Sequence, residues 1–156
     1  MRLIIVSLFA MGLVAGGAAP QAAARDVKNY SAFSCSGNSY GLDGTRSSSG
    51  GHMFCPVTRD RSNGPGNLSH ASVTVRDRHY ADDVRCQLGW SYSNNGSLAS
   101  SWQMQSTSGS SPYWERLEFS GRTLPNASAS LFLACFMPLE YNGNRSGIAG
   151  YSVSLD

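Results

Sequence analysis

A disulfide-bonded all-β fold, two antiparallel sheets packed as a sandwich of about eight strands, is predicted by three features of this 156-residue chain. Short segments of alternating apolar and polar residues recur along it, and no run carries apolar residues at helical spacing. Clusters rich in Ser, Gly and Asn punctuate those segments, as in "RDRSNGPGN", "SNNGS" and "YNGNRSG". Cys35, Cys55, Cys86 and Cys135 form an even set of cysteines, as disulfide-bonded exported domains do.

In chain order the expected strands are Ser39–Leu42, His52–Val57, Ala71–Arg78, Val84–Tyr92, Leu98–Gln105, Tyr113–Phe119, Ala129–Met137 and Gly147–Leu155. Alternation gives their register. Val84, Cys86, Leu88, Trp90 and Tyr92 share one face, as do Leu131, Leu133, Cys135 and Met137. Val73 and Val75 oppose Thr74, Arg76 and Arg78, and in the last strand Ala149, Tyr151, Val153 and Leu155 oppose Gly150, Ser152 and Ser154. Of the three connectivities that four cysteines allow, the inward register of Cys86 and Cys135 favours Cys35 with Cys55 and Cys86 with Cys135.

The first 24 residues read as a secretory signal peptide: Arg2, an apolar run from Leu3 to Val14, then small residues ending in Ala22-Ala23-Ala24. A membrane anchor needs about 20 apolar residues, so no span is expected once the signal is removed, and the chain is expected to be secreted or periplasmic. Residues 25–34 show no alternation and read as a lead into a single domain over 35–156. Residues 25–156 keep 11 of the 12 basic residues and all 10 acidic ones, a charge near +1 with scattered arginines. A nucleic-acid partner would require a clustered basic face and is not expected.

Gly37-Asn38-Ser39-Tyr40-Gly41 spells the G-x-S-x-G of a serine hydrolase. That motif works on a strand-to-helix turn above a parallel sheet, a context missing around Ser39. The stretch "RDRHYADD" gathers Asp77, Asp82 and Asp83, which could offer oxygens to calcium but lack EF-hand spacing; a turn of mutually neutralising Arg and Asp is the simpler reading. No C-x-x-C pair is present, and no cofactor is expected. Trp102, Tyr113 and Trp114 are candidate ligand-binding aromatics, because an amphipathic ring exposed on a secreted β-sandwich can stack on a sugar. Trp90 follows the inward register of Cys86 and reads as core.

Cys35, Tyr40-Gly41, Cys55-Pro56, "VTVRDR" at 73–78, Val84-Arg85-Cys86-Gln87-Leu88, "LACFMP" around Cys135 and "SGIAGYSV" at 146–153 together resemble a group of small secreted bacterial proteins of unassigned function. The resemblance implies an exported, disulfide-bonded β domain and carries no catalytic motif. The expected function is therefore a non-catalytic binding or surface-associated module, with a glycan or an envelope protein as partner. The alternatives are a small hydrolase using carboxylates such as Asp82 or Glu118, and a structural subunit of an extracellular or envelope assembly.

Overall fold

The structure, a computed structural model, describes residues 26–37, 45–46, 51–59, 66–126 and 128–156. The expected signal peptide and the strand expected at Ser39–Leu42 lie outside these residues. The strands are β1 (Asp26–Ser31), β2 (Ser36–Gly37), β3 (Thr45–Arg46), β4 (Gly51–Pro56), β5 (Asn67–Arg76), β6 (Arg85–Asn94), β7 (Ser97–Ser106), β8 (Glu115–Thr123), β9 (Ser130–Met137) and β10 (Gly147–Leu155). Eight of them are six residues or longer. One sheet, here sheet A, has the order β1-β10-β5-β8 with β3 also paired to β10; sheet B has the order β2-β4-β9-β6-β7.

Every pairing is antiparallel. The turn between β6 and β7 shows why the sequence folds there: Asn95 and Gly96 take φ of 49° and 82°, the left-handed conformations that a two-residue hairpin turn requires.

The core lies between the sheets. Sheet A contributes Val73, Val75, Phe119, Ile148 and Val153, and sheet B contributes Met53, Cys55, Cys86, Leu88, Leu133 and Met137, all almost wholly buried. Both expected disulfides are present, Cys35–Cys55 and Cys86–Cys135. Each crosses between neighbouring strands of sheet B rather than between sheets. Cys86 lies directly opposite Cys135, and Cys35 precedes the Ser36↔Phe54 pair that puts it beside Cys55. Their Cα atoms are 4.0 Å apart in both bridges, which is the spacing of closely approaching antiparallel partners.

Two sequence expectations change. Asp26–Ser31, within the stretch read as a lead, pairs along its whole length with β10. Its alternation is hidden in the sequence because exposed Val27 points outward while half-buried Lys28 takes an inward position. In β10, an irregularity between Ile148 and Gly150 shifts the register, so Ile148 is buried and Ala149 is exposed. A bulge of this kind inverts which residue faces the core, and period-two alternation cannot see it.

Two tyrosines tie the sheets together along the β1 side. Tyr30 and Tyr151 are cross-strand partners whose rings stack at 4.7 Å. The Tyr151 hydroxyl donates to the carbonyl of Pro56 in β4 and lies 3.1 Å from Ser34 Oγ, while Tyr30 Oη accepts from Thr58 N at 3.1 Å. Burial, partly offset by the Ser34 hydrogen bond, pushes the Tyr151 phenol above its ordinary range. Tyr151→Phe is expected to destabilise the fold by about 1 kcal/mol, because the Pro56 carbonyl loses its donor at a partly buried site. Urea unfolding of the two proteins measures this, and equal midpoints would remove the hydroxyl from the account.

Candidate functional site

The two sheets differ on their outward faces. Sheet A presents rows of polar side chains: Asn29, Ser152, Ser72 and Glu118 lie across it in one row, and Ser31, Gly150, Thr74 and Arg116 in the next. A shallow polar depression of about 330 Å³ crosses these rows. This is the ordinary arrangement for an antiparallel sheet with one face in water.

Sheet B carries large apolar side chains on its outward face as well as on its inward one. Its outward rows read Ser36–Phe54–Ala134–Gln87–Met104, His52–Phe136–Arg85–Ser106 and Pro56–Phe132–Gly89–Trp102. Phe54, Trp102, Met104 and Leu98 expose 58%, 56%, 55% and 77% of their surface. On β7 the pattern is inverted relative to a normal edge strand: Leu98, Trp102 and Met104 face out, while Ser101, Gln103 and Gln105 are half-buried on the other side. Contiguous exposed apolar surface of this kind marks interaction sites in soluble proteins.

The face is organised rather than merely greasy. Gly89 sits at its centre, where a Cβ would come within 2.5 Å of the Ser101 carbonyl oxygen, 2.8 Å of the Phe132 ring and 2.9 Å of Trp102 Cβ. The missing side chain leaves room for Phe132 and Trp102 to close over the backbone from either side. At the other end His52 meets the Phe136 ring edge-on at 5.6 Å, and the Arg85 guanidinium lies 5.3 Å over the same ring. Two depressions result. One of about 260 Å³ is bounded by His52, Arg85, Met104 and Phe136; the other, of about 530 Å³, by Phe54, Leu98, Trp102 and Phe132. Gln87 lines both, so its amide is a hydrogen-bonding group at the join of an otherwise aromatic track.

The three aromatics singled out in the sequence are not brought to one place. Trp102 belongs to the outward face of sheet B. Trp114 precedes β8 in sheet A, with the Arg76 guanidinium 4.7 Å over its ring, and Tyr113 is 78% exposed beside it. At the corner where β7 meets β8, Ser120 bonds to Gln103 and Arg122 to Ser101. Trp102 is therefore level with residue 121, roughly 20 Å along the strands from Trp114. Trp90, expected as core, is half-buried at the margin of the core and tilts against Tyr92 at 5.7 Å.

The aspartates of "RDRHYADD" have separate tasks. Asp77 is wholly buried, and its carboxylate accepts from four groups: Oδ1 from His79 N and Ser146 Oγ, Oδ2 from Val84 N and Thr107 Oγ1. Asp83 Oδ1 accepts from Gly109 N at 3.0 Å, and the Asp82 side chain is 61% exposed. Among the described residues, no three His, Cys, Asp or Glu side chains group as a metal site. Glu115 and Glu118 point to opposite sides of sheet A. Glu118 is held by His70 Nε2 at 2.5 Å and Arg116 Nε at 2.8 Å, whereas Glu115 stands in the inward row with Val75 and Ile148.

The outward side chains Phe54, Phe132 and Phe136 were missed at the level of sequence. A signal was present: "LFLACFM" has no polar residue on either face, the composition of a strand covered on both sides.

Burial, then the charges of Asp77 and Asp83, raise the Glu115 carboxyl above its ordinary 4.5. A carboxyl raised in the folded state binds its proton more tightly there than in the unfolded chain. Stability therefore falls as pH rises from the ordinary carboxylate value through the raised one. Glu115→Gln is expected to raise the thermal midpoint at neutral pH and to give no advantage below pH about 4, where Glu115 is protonated in both states. Melting curves at the two pH values check this, and a lower midpoint at neutral pH would show instead that the ionised carboxylate stabilises the fold.

Comparison of the chain with protein-family models, with curated proteins and with solved structures yields no match.

Proposed function

We propose that this protein is an exported, non-catalytic module that binds a glycan or similar cell-envelope polymer across the outward face of sheet B. The observation that carries the reading is the aromatic track itself: Phe54, Phe132, Trp102 and Phe136 around two depressions joined at Gln87. Apolar ring faces offer stacking surface to the CH faces of sugars, and a few polar groups then set orientation. Gln87, Arg85 and His52 supply those polar groups, and two adjoining depressions suit a linear ligand better than a compact one. Two disulfides with no free cysteine suit an oxidising, extracytoplasmic compartment, where such a polymer is met. Among the described residues no helix is long and apolar enough to cross a membrane.

A glycan array followed by titration calorimetry tests the reading. Trp102→Ala and Phe132→Ala are each expected to weaken binding about tenfold or more, equivalent to about 1.4 kcal/mol, while Tyr113→Ala leaves it unchanged. Absence of binding across envelope polysaccharides, or full binding by both face variants, would overturn it.

One observation favours a second reading, a subunit of an envelope assembly. β7, the terminal strand of sheet B, runs ten residues without a charge or a proline and pairs with β6 in unbroken register. Apart from the corner where Ser120 and Arg122 of β8 bond to Gln103 and Ser101, such an edge is suited to receive another strand.

A further inference from the structure

The buried carboxylate of Asp77 does more than hold its own turn. It gathers three segments at one end of the sandwich: His79 N and Val84 N from the loop between β5 and β6, Thr107 from the end of β7, and Ser146 from the start of β10. Ser111 N also donates to the Asp77 carbonyl, and Ser146 Oγ accepts from Arg78 N at 3.0 Å. Within the loop so fixed, His79 is buried, and its Nδ1 accepts from Ala81 N at 3.3 Å and Asp82 N at 2.8 Å. Both bonds fall on one ring nitrogen and set the orientation of the imidazole.

On this ring rest two exposed tyrosines from different loops. Tyr80 stacks on His79 at 5.4 Å, Tyr141 meets His79 edge-on at 5.7 Å, and the two tyrosine rings touch at 4.4 Å with their planes 46° apart. Tyr80 nevertheless exposes 65% of its surface and Tyr141 40%. Tyr141 is itself held in a tight turn, bonded N–H to carbonyl in both directions with Asn144 and closed through Asn142 and Gly143 at φ of 50° and 74°. Exposed rings ordinarily lose rotamer freedom when a ligand binds; here they pack on each other and on a His79 ring oriented by buried hydrogen bonds, which lowers that cost. The exposed Asp82 carboxylate stands within the same loop, anchored through its backbone N–H to His79.

We propose that Tyr80 and Tyr141 form a second ligand site, distinct from the outward face of sheet B, that stacks a single pyranose ring, with Asp82 accepting hydrogen bonds from its hydroxyls. Tyr80, the more exposed of the two rings, presents a face about the size of one sugar ring with Tyr141 inclined against it by 46°, and the Asp82 carboxylate, 3.6 Å from His79 Nδ1 in the same loop, supplies a directional acceptor. The site does not depend on the glycan reading of sheet B.

The test is an NMR titration of the full chain with glucose, galactose, mannose and N-acetylglucosamine, each to about 50 mM, because one stacked ring gives affinity in the millimolar range. Saturable shifts at Tyr80, Tyr141 and the Asp82 amide are expected for at least one of the sugars. They should be lost in Tyr80→Ala, weakened about tenfold in Asp82→Asn and retained in Trp102→Ala. Tyr80→Phe, which keeps the ring, should retain binding and so separates stacking from a folding defect. Absence of shifts at these residues with all four sugars overturns the assignment. So does a saturable response to choline chloride alone, which would make the rings a cation–π site instead.

Discussion

Cross-strand disulfides in sheet B are the constraint on which the rest of the structure depends. Across the inward face of this sheet, Met53, Cys135 and Cys86 form one row and Cys55, Leu133 and Leu88 the next. The Cys86–Cys135 bridge locks β6 to β9, and the Cys35–Cys55 bridge locks the segment leading into β2 to β4. The bridges close loops with sequence separations of 20 and 49, for which the chain-entropy account gives about 3 and about 4 kcal/mol. Only β4 and β9, among the central strands, are joined by hydrogen bonds and packing alone. The bridges fix the β2–β4 and β6–β9 registers directly, because a one-residue slip in either would carry a half-cystine to the opposite face.

That constraint explains how sheet B can carry large apolar side chains on both faces. An antiparallel sheet in water normally keeps one face polar, as sheet A does with its Ser, Thr, Asn, Arg and Glu rows. A sheet with large apolar side chains on both faces has little to tell it which face belongs in the core. In sheet B the cysteines supply that information, since both bridges lie on the inward face together with Met53, Leu88 and Leu133. Phe54, Phe132, Phe136 and Trp102 are thereby held on the outside, over a backbone dip at Gly89 that no other residue could occupy without displacing Phe132 or Trp102. An aromatic track on a covalently fixed register is a rigid platform, and rigidity is what a stacking surface requires.

Much of this architecture is legible in the sequence because its cause is local. Alternation at 84–92 and 131–137 fixes the inward cysteines, and "NNG" encodes the hairpin between β6 and β7. Where the cause is not local, the sequence is silent or misleading. Ala149 follows the alternation of its strand, yet the irregularity beside it buries Ile148 instead. Asp26–Ser31 is a strand because β10 offers it a partner, not because its own residues alternate. Trp102 is visible as an exposed aromatic, but its companions Phe54, Phe132 and Phe136 come from strands distant in sequence, while its apparent companions Tyr113 and Trp114 lie along the other sheet. The role of Asp77 is hidden for the same reason: its four donors come from three segments separated by up to 69 positions.

The central claim is that the disulfides, rather than a covering layer, hold the outward face of sheet B in place. Native-state hydrogen exchange on the oxidised and the reduced protein measures it most directly. In the oxidised protein the amides of β4, β6 and β9 are expected to exchange only through global unfolding. After reduction they should open at lower free energy than those of β5 and β10 in sheet A, because the covalent constraint lies in sheet B alone. Equal loss of protection in both sheets, or unchanged protection in sheet B, would contradict the account.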